Sequence, residues 1–167
     1  MSPPKAALKE ELVAALAADL LVRERAYQAA REAATHPEAK PENDKDTRAL
    51  EQSYIARGEA LRLEEQRAAL ADVRAMTAEA FDAATPVRVG ALVAIEEGGQ
   101  EALYWIAQHG GGTRLAGGTV LVVTPKSPLG RALLGGRVDD EREIAVDRKP
   151  AVRVVRIVRI VRIVAVS

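Results

Sequence analysis

Several residue types are absent or scarce in this sequence. It contains no cysteine, which excludes disulfides and thiolate metal sites and gives no sign of an oxidising compartment. One Trp, three Tyr and one Phe are too few aromatic rings for a module that stacks nucleic-acid bases. The longest apolar run near the N-terminus, residues 12–22, is about half a membrane span and contains Asp19. We therefore expect a cytoplasmic protein without a membrane partner.

Glycine is almost missing from the first half of the chain. Gly58 is the only glycine before residue 84, whereas the second half holds all the others and most of the valine. The composition changes at DAATPVRVG, residues 82–90, where Pro86 ends the helix-forming part. This change predicts two domains, residues 1–83 and 84–167.

Two long segments of strong helix formers make up the first domain, at residues 5–35 and 47–80. Each helix would be ~45 Å long, and the short connection near Pro41 requires the two to lie antiparallel. Apolar residues recur at the 3–4 spacing of a coiled coil, and Arg23, which interrupts it, is expected near Glu59. The predicted contact positions are Val13, Leu16, Leu20, Tyr27, Ala30 and Ala34 in the first helix, and Leu50, Tyr54, Leu61, Ala68, Ala71 and Ala75 in the second.

The connection between these helices, HPEAKPENDKD at residues 36–46, is rich in acids. Asp44 or Asp46 can cap the second helix, since acids are favourable at a helix N-terminus. Capping does not account for Glu38, Glu42 and Asp44 lying so close together, because like charges repel. A solvated, capped turn is one interpretation, and a carboxylate cluster that carries charge or a hard cation at the end of a narrow hairpin is the other.

Short β-forming runs separated by glycine-rich turns follow in the second domain. They predict a small antiparallel sheet or half-barrel, so the expected fold class is α+β. Within SPLGRALLGG, residues 127–136, we expect one or two helical turns, with Ser127 as the cap, Pro128 at the first helical position and Gly135 or Gly136 at the end. The four runs are residues 87–97, 101–108, 118–125 and 141–147.

None of the catalytic motifs that we compared with the sequence is complete. GTRLAGGT, residues 112–119, is close to a phosphate-binding loop but has glycine where lysine is required, so a hairpin turn is predicted there. His36 and His109 have no partners at metal-ligand spacing, and no serine lies in a nucleophile elbow. The second domain therefore has no recognisable chemistry of its own.

The C-terminal tail RVVRIVRIVRIV, residues 153–164, repeats every three residues, which is the period of neither a strand nor a helix. One interpretation is a low-complexity expansion. In the other, the tail is an exposed edge strand or an overlong final strand, whose arginines could contact nucleic-acid phosphates.

Two segments resemble the bacterial Gre transcript-cleavage factors. VTPKSPLGRALLGGRVDDE, residues 123–141, is similar to the family's C-terminal segment, in which Ser-Pro precedes Ala-Leu-Leu-Gly. PENDKDTRALEQSYIARG, residues 41–58, is similar to the family's tip segment, with Glu42 and Asn43 at the matching places. The DTR and SYIARG motifs within it resemble a branch of Gre-like proteins.

The resemblance implies a transcription elongation factor that has no enzymatic activity alone. An FKBP-like C-terminal domain would dock on RNA polymerase, and the coiled coil would enter its secondary channel. The tip acids would share Mg²⁺ with the polymerase active site and promote cleavage of backtracked RNA by two-metal chemistry. The protein would be a monomer that meets nascent RNA and DNA only within the complex. The residues implied are Ser127, Pro128, Leu129 and Arg131 for docking, Glu38, Glu42 and Asp44 for cleavage, and Glu42, Asp44 and Asp46 for metal binding.

The chain departs from the family pattern at two positions. Ala39 stands where the first acid of the usual tip pair falls, so Glu38 or Asp44 would have to replace it. Lys126 stands where some members carry an acid. Two alternatives therefore stay open: a channel-binding regulator that inhibits polymerase without cleavage, and a helical-hairpin adaptor for an unrelated protein.

Overall fold

Two long helices followed by a small sheet make up the fold. The computed structural model describes residues 3–35, 48–77, 81, 84–97, 99–145 and 152–161, with only the backbone described at 48, 49, 145 and 152–161. The predicted α+β class is confirmed. The helices are α1 (Lys5–Thr35), α2 (Arg48–Ala75) and α3 (Pro128–Leu133), and the strands are β1 (Leu92–Glu97), β2 (Gln100–Ile106), β3 (Arg114–Leu115), β4 (Val120–Val123), β5 (Glu141–Ala145) and β6 (Val152–Val161).

The strands form one mixed sheet in the order β3-β4-β2-β1-β6-β5. Most neighbours are antiparallel, but β2 and β4 are parallel, with Leu103 opposite Val120. The expectation of a wholly antiparallel sheet was therefore wrong at this pair. Parallel neighbours need a connection that returns the chain to the same end of the sheet, and residues 107–119, which include the edge strand β3, provide it.

The arginine-repeat tail forms an interior strand over its described residues, 153–161. β6 pairs on one side with β1, from Leu92–Val161 to Glu96–Arg156, and on the other side with β5. The edge-strand interpretation of this tail was wrong. Only long-range pairing could show this, because the local repeat matches no strand period.

Residues 14–71 form one compact unit, and residues 1–13 together with 72–167 form the other. In the second of these, Lys9 Nζ donates hydrogen bonds to the backbone carbonyls of Arg74 and Met76, both at 2.7 Å, where α2 ends. The Lys5 ammonium lies 4.0 Å from the Phe81 ring centroid. The division at residues 83 and 84, which was drawn from composition, stays a prediction.

The sheet has a continuous hydrophobic core in the same unit. All residues from Ala91 to Ile95 are buried, as expected of a strand with both faces covered. The single tryptophan, Trp105 in β2, is also buried, and its Nε1 donates to the Gly90 carbonyl at 3.3 Å. Leu133 of α3 packs in the core cluster with Val93 and Ile106.

In the helical unit, α1 buries the face that its sequence predicts, but α2 does not. Leu16 is buried, and Leu20, Tyr27, Ala30 and Ala34 are half-buried. On α2 the predicted contact residues Leu50, Tyr54 and Leu61 are instead 55%, 65% and 61% exposed. The seven positions that form the inward face of α2 are all buried or half-buried: Gln52, Ala56, Glu59, Leu63, Gln66, Leu70 and Val73. Gly58, Ala60 and Ala69, which lie beside this face, are also buried or half-buried.

The reason for this error is visible in the spacing. Both sets of α2 positions follow the 4–3 alternation of a heptad repeat, so periodicity alone cannot choose between them. The inward set contains the polar residues Gln52, Glu59 and Gln66, so hydrophobicity favoured the other set as the predicted contact face.

A second correction concerns the charged pair expected between Arg23 and Glu59. Glu59 is instead bonded to Arg62 on its own helix, at 2.7 Å. Within the described part of the helices, Arg67 forms an ion pair with Glu24 of α1 at 3.0 Å and also contacts Glu64 at 2.7 Å. Hydrogen bonds from Arg67 to Glu24 and then Glu64 raise the pKa of its guanidinium. Lys9 of α1 contacts Arg74 of α2, whereas Glu24, later in α1, contacts Arg67, earlier in α2, so the two helices are antiparallel.

Candidate functional surfaces

The segment that resembles the Gre C-terminal motif is built around the N-terminus of α3. Ser127 Oγ accepts a hydrogen bond from the Gly130 amide at 3.0 Å and donates one to the Thr124 carbonyl at 2.8 Å. Pro128 occupies the first helical turn, where its missing N–H leaves no bond unmade. The predicted cap and the predicted proline position are both confirmed.

Position 130 requires glycine because the backbone of Thr124 passes close to it. A Cβ atom added to this residue would lie 1.9 Å from the Thr124 carbonyl oxygen, far inside van der Waals contact. The absence of a side chain thus allows α3 to pack directly over the end of β4. Gly130 is part of the motif that resembles the Gre family, but no sequence pattern predicts its contact with Thr124.

The four predicted docking residues differ in what they offer to a partner. Ser127 is occupied by its cap bonds, and Leu129 packs against the core cluster. Arg131 is exposed, and its Nη1 donates a hydrogen bond to the backbone carbonyl of Lys126 at 2.6 Å. Lys126 is also exposed, so two cationic residues are adjacent on this surface. The accessible chemistry of this surface is therefore the positive charge of Arg131 and Lys126.

The end of the same segment is a turn held by an acid. Asp140 Oδ2 accepts from the Arg137 amide at 2.9 Å and from Arg142 Nη2 at 2.6 Å. The Arg137 backbone hydrogen bond, followed by the Arg142 side chain, lowers the pKa of Asp140. Asp140 thus stays ionised and fixes the turn that leads from α3 into β5.

An open groove of about 630 Å³ lies between α1 and α2 within residues 14–71. Leu21, Gln28 and Glu32 line it from α1, and Ala60 and Leu63 from α2. The helices are therefore not tightly packed along this stretch.

The tip acids Glu38, Glu42, Asp44 and Asp46 lie outside the described residues, as does the turn at Pro41. Within the described part of the chain, no group of three His, Asp or Glu side chains could hold a metal ion. His109 Nε2 lies 2.9 Å from Asp72 Oδ2, so this histidine has a carboxylate partner. None of the described helices combines the length and apolar character of a membrane span.

These features define an α+β protein in which an antiparallel helical hairpin accompanies a six-stranded mixed sheet and a short, serine-capped helix. Among solved structures, the chain is similar to Gre-type transcription factors. The GreA factor homolog 1 (Gfh1) of Thermus thermophilus is 22% identical, with 89% of this chain and 94% of that chain covered and a TM-score of 0.36. Thermus aquaticus Gfh1 is also 22% identical, covering 94% and 95%, with a TM-score of 0.37. The GreA/GreB elongation factor from Nitrosomonas europaea is 22% identical, covering 62% and 90%, with a TM-score of 0.34.

No protein-family model and no curated protein matches the sequence.

Proposed function

We propose that this protein is a Gre-type transcription elongation factor that binds RNA polymerase and promotes cleavage of backtracked RNA. The observation that supports the proposal best is the position of the helix ends. α1 ends at Thr35 and α2 begins at Arg48, so the acidic residues 36–47 connect the ends of two antiparallel helices. The 28 residues of α2 give a length of ~42 Å at about 1.5 Å per residue, so the acidic connection lies at the end of a long, narrow element.

The chemistry proposed for the tip is carboxylate chemistry. Glu42, with Glu38 or Asp44, would complete the coordination of a Mg²⁺ ion shared with the polymerase, and Asp46 is a further candidate ligand. Such an ion supplies a second positive charge for the attacking or leaving oxygen of the RNA phosphate. The protein would have no cleavage activity alone and would act in the cytoplasm, where its polymerase partner works.

Stalled, backtracked polymerase with end-labelled RNA tests this proposal. The wild-type protein should shorten the transcripts, and the Glu42→Ala/Asp44→Ala variant should not, while it still binds polymerase. The matched control is Asp19→Ala/Glu65→Ala, which removes two exposed acids from the helices and should cleave like wild type. Added Mg²⁺ should partly restore a single tip variant, because mass action offsets weaker coordination.

Three other results would each replace the proposal. Equal cleavage by the tip variant and the wild type would leave the acids as capping and solubilising groups. Slower elongation without cleavage, relieved by the tip variant, would identify a channel-binding inhibitor. No effect on polymerase and no binding to it would leave an adaptor for another protein.

Docking is proposed for the FKBP-like C-terminal domain, at the surface around α3. Because Ser127 and Leu129 also support the fold, the sharpest variant is Arg131→Glu, which reverses an exposed charge. Arg114→Glu is the control, since Arg114 is an exposed cation on β3 of the same domain. A pull-down should show weaker polymerase binding for Arg131→Glu only. Equal binding of both variants would remove this surface from the proposal.

A further inference from the structure

The described part of the hairpin exposes large apolar side chains on α2. Leu50, Tyr54, Ile55 and Leu61 are each more than half exposed. Soluble proteins rarely leave contiguous apolar surface open unless it meets a partner.

Three of these residues belong to one stripe. Leu50, Tyr54, Arg57 and Leu61 follow the 4–3 alternation of a coiled-coil seam and lie on the face of α2 opposite its inward seam. We call these four residues the outer stripe. A helix with heptad spacing on two opposite faces has the pattern needed to pack against two helices, and α1 occupies only the inward face.

The outer stripe is complementary to itself. If two copies of α2 pack antiparallel about a two-fold axis, each contact between two different residues occurs twice. In the register that places Leu50 opposite Leu61 of the second copy, Tyr54 lies opposite Arg57 of the second copy. The two outer layers are then leucine on leucine, and the two inner layers place a guanidinium against an aromatic ring, which attracts it through cation–π interaction.

The residues beside the outer stripe favour a close approach. Ser53 and Gly58 flank it and are small. A Cβ atom at Gly58 would meet nothing within 4 Å, so no contact within the described chain requires glycine there. A glycine inside a helix lowers helix stability. Close packing of a second helix against this position is a physical reason for a glycine to be there.

We propose that the outer stripe of α2 is a self-association surface, on which a second copy of this chain docks antiparallel with Leu50 opposite Leu61. From Leu50 to Leu61 the stripe spans only ~16 Å of helix. An interface of this size is weak and forms reversibly with concentration. The inference does not depend on the proposed function, because it is measured on the protein alone.

Analytical ultracentrifugation over a concentration series gives the first test. The average mass of the wild-type chain should rise with concentration, and Leu61→Glu should abolish the rise. Ile55→Glu is the matched control, because Ile55 is an equally exposed apolar residue outside the stripe, and it should associate like wild type. A wild-type chain that stays monomeric, or an Ile55→Glu variant that loses association equally, would overturn the proposal.

Cysteine cross-linking tests the register, since the chain has no cysteine of its own. In the proposed register, a mixture of Leu50→Cys and Leu61→Cys chains should form disulfide-linked dimers on mild oxidation. Neither variant should do so alone, because equivalent residues lie ~16 Å apart along the axis, beyond the reach of a disulfide. Replacing Leu61→Cys by Arg62→Cys, one residue away on another face, should remove the cross-link. Cross-linking of either variant alone, as in parallel packing, or none in the mixture, would contradict the register.

Discussion

Gly130 and Gly58 differ in whether their surroundings leave room for a side chain. At Gly130 a Cβ atom would lie 1.9 Å from the Thr124 carbonyl oxygen, a backbone atom that cannot turn away, whereas Gly58 has open space around it. We expect Gly130→Ala to lower the free energy of unfolding by ~2–3 kcal/mol, since overpacking forces the backbone to shift. Gly58→Ala should raise it by ~0.5–1 kcal/mol through helix propensity.

Urea unfolding of the two variants followed by circular dichroism measures both effects. The pair is informative because each change adds one methyl group. Equal effects at both positions would mean that the contact between α3 and the end of β4 does not restrict Gly130.

At the scale of the element, the orientation of α2 is the main result. Leu63 is 4% exposed and Leu61 is 61% exposed, although the two leucines are only two residues apart. We expect Leu63→Ala to lower the free energy of unfolding by ~2–3 kcal/mol, the low end for a buried leucine, because its side chain also lines the groove. Leu61→Ala should change it by less than ~0.5 kcal/mol, as for other surface substitutions.

Thermal unfolding at low protein concentration, where self-association is absent, compares the two leucine variants. If Leu61→Ala proved the more destabilising, α2 would have to present its other heptad face to α1. That result would restore the contact positions expected from hydrophobic periodicity and would remove the outer stripe.

At the scale of the whole molecule, β6 joins β5 to the rest of the sheet. It lies between β1 and β5. A chain that ends at residue 151 lacks β6, so β5 loses its strand partner and β1 loses its partner on one side. We expect this truncated chain to lose its cooperative thermal transition and to show red-shifted fluorescence from Trp105, which is buried in β2 beside β1. A chain that ends at residue 161 keeps β6 and is the control. Native fluorescence and unfolding in the shorter chain would show that the tail is dispensable for the fold.

Local features of this protein were predictable because local interactions decide them. The absence of glycine and proline from residue 5 to residue 35 predicted α1 with the bounds that it has. The Ser127-Pro128 pair predicted the start of α3, since a cap and a proline act within one turn of the helix. The scarcity of aromatic residues and the lack of cysteine needed no structure to interpret.

Only the tertiary structure decided how these elements pair. Two faces of α2 have the same heptad spacing, and the choice between them depends on what α1 presents, not on the sequence of α2. The parallel pairing of β2 with β4 and the interior position of β6 join residues far apart in the chain, so no local pattern encodes them. The proposed docking residues show the same division. The sequence motif identified Ser127, Leu129 and Arg131 together. The structure shows that Ser127 and Leu129 support the fold, whereas the charge of Arg131 is accessible.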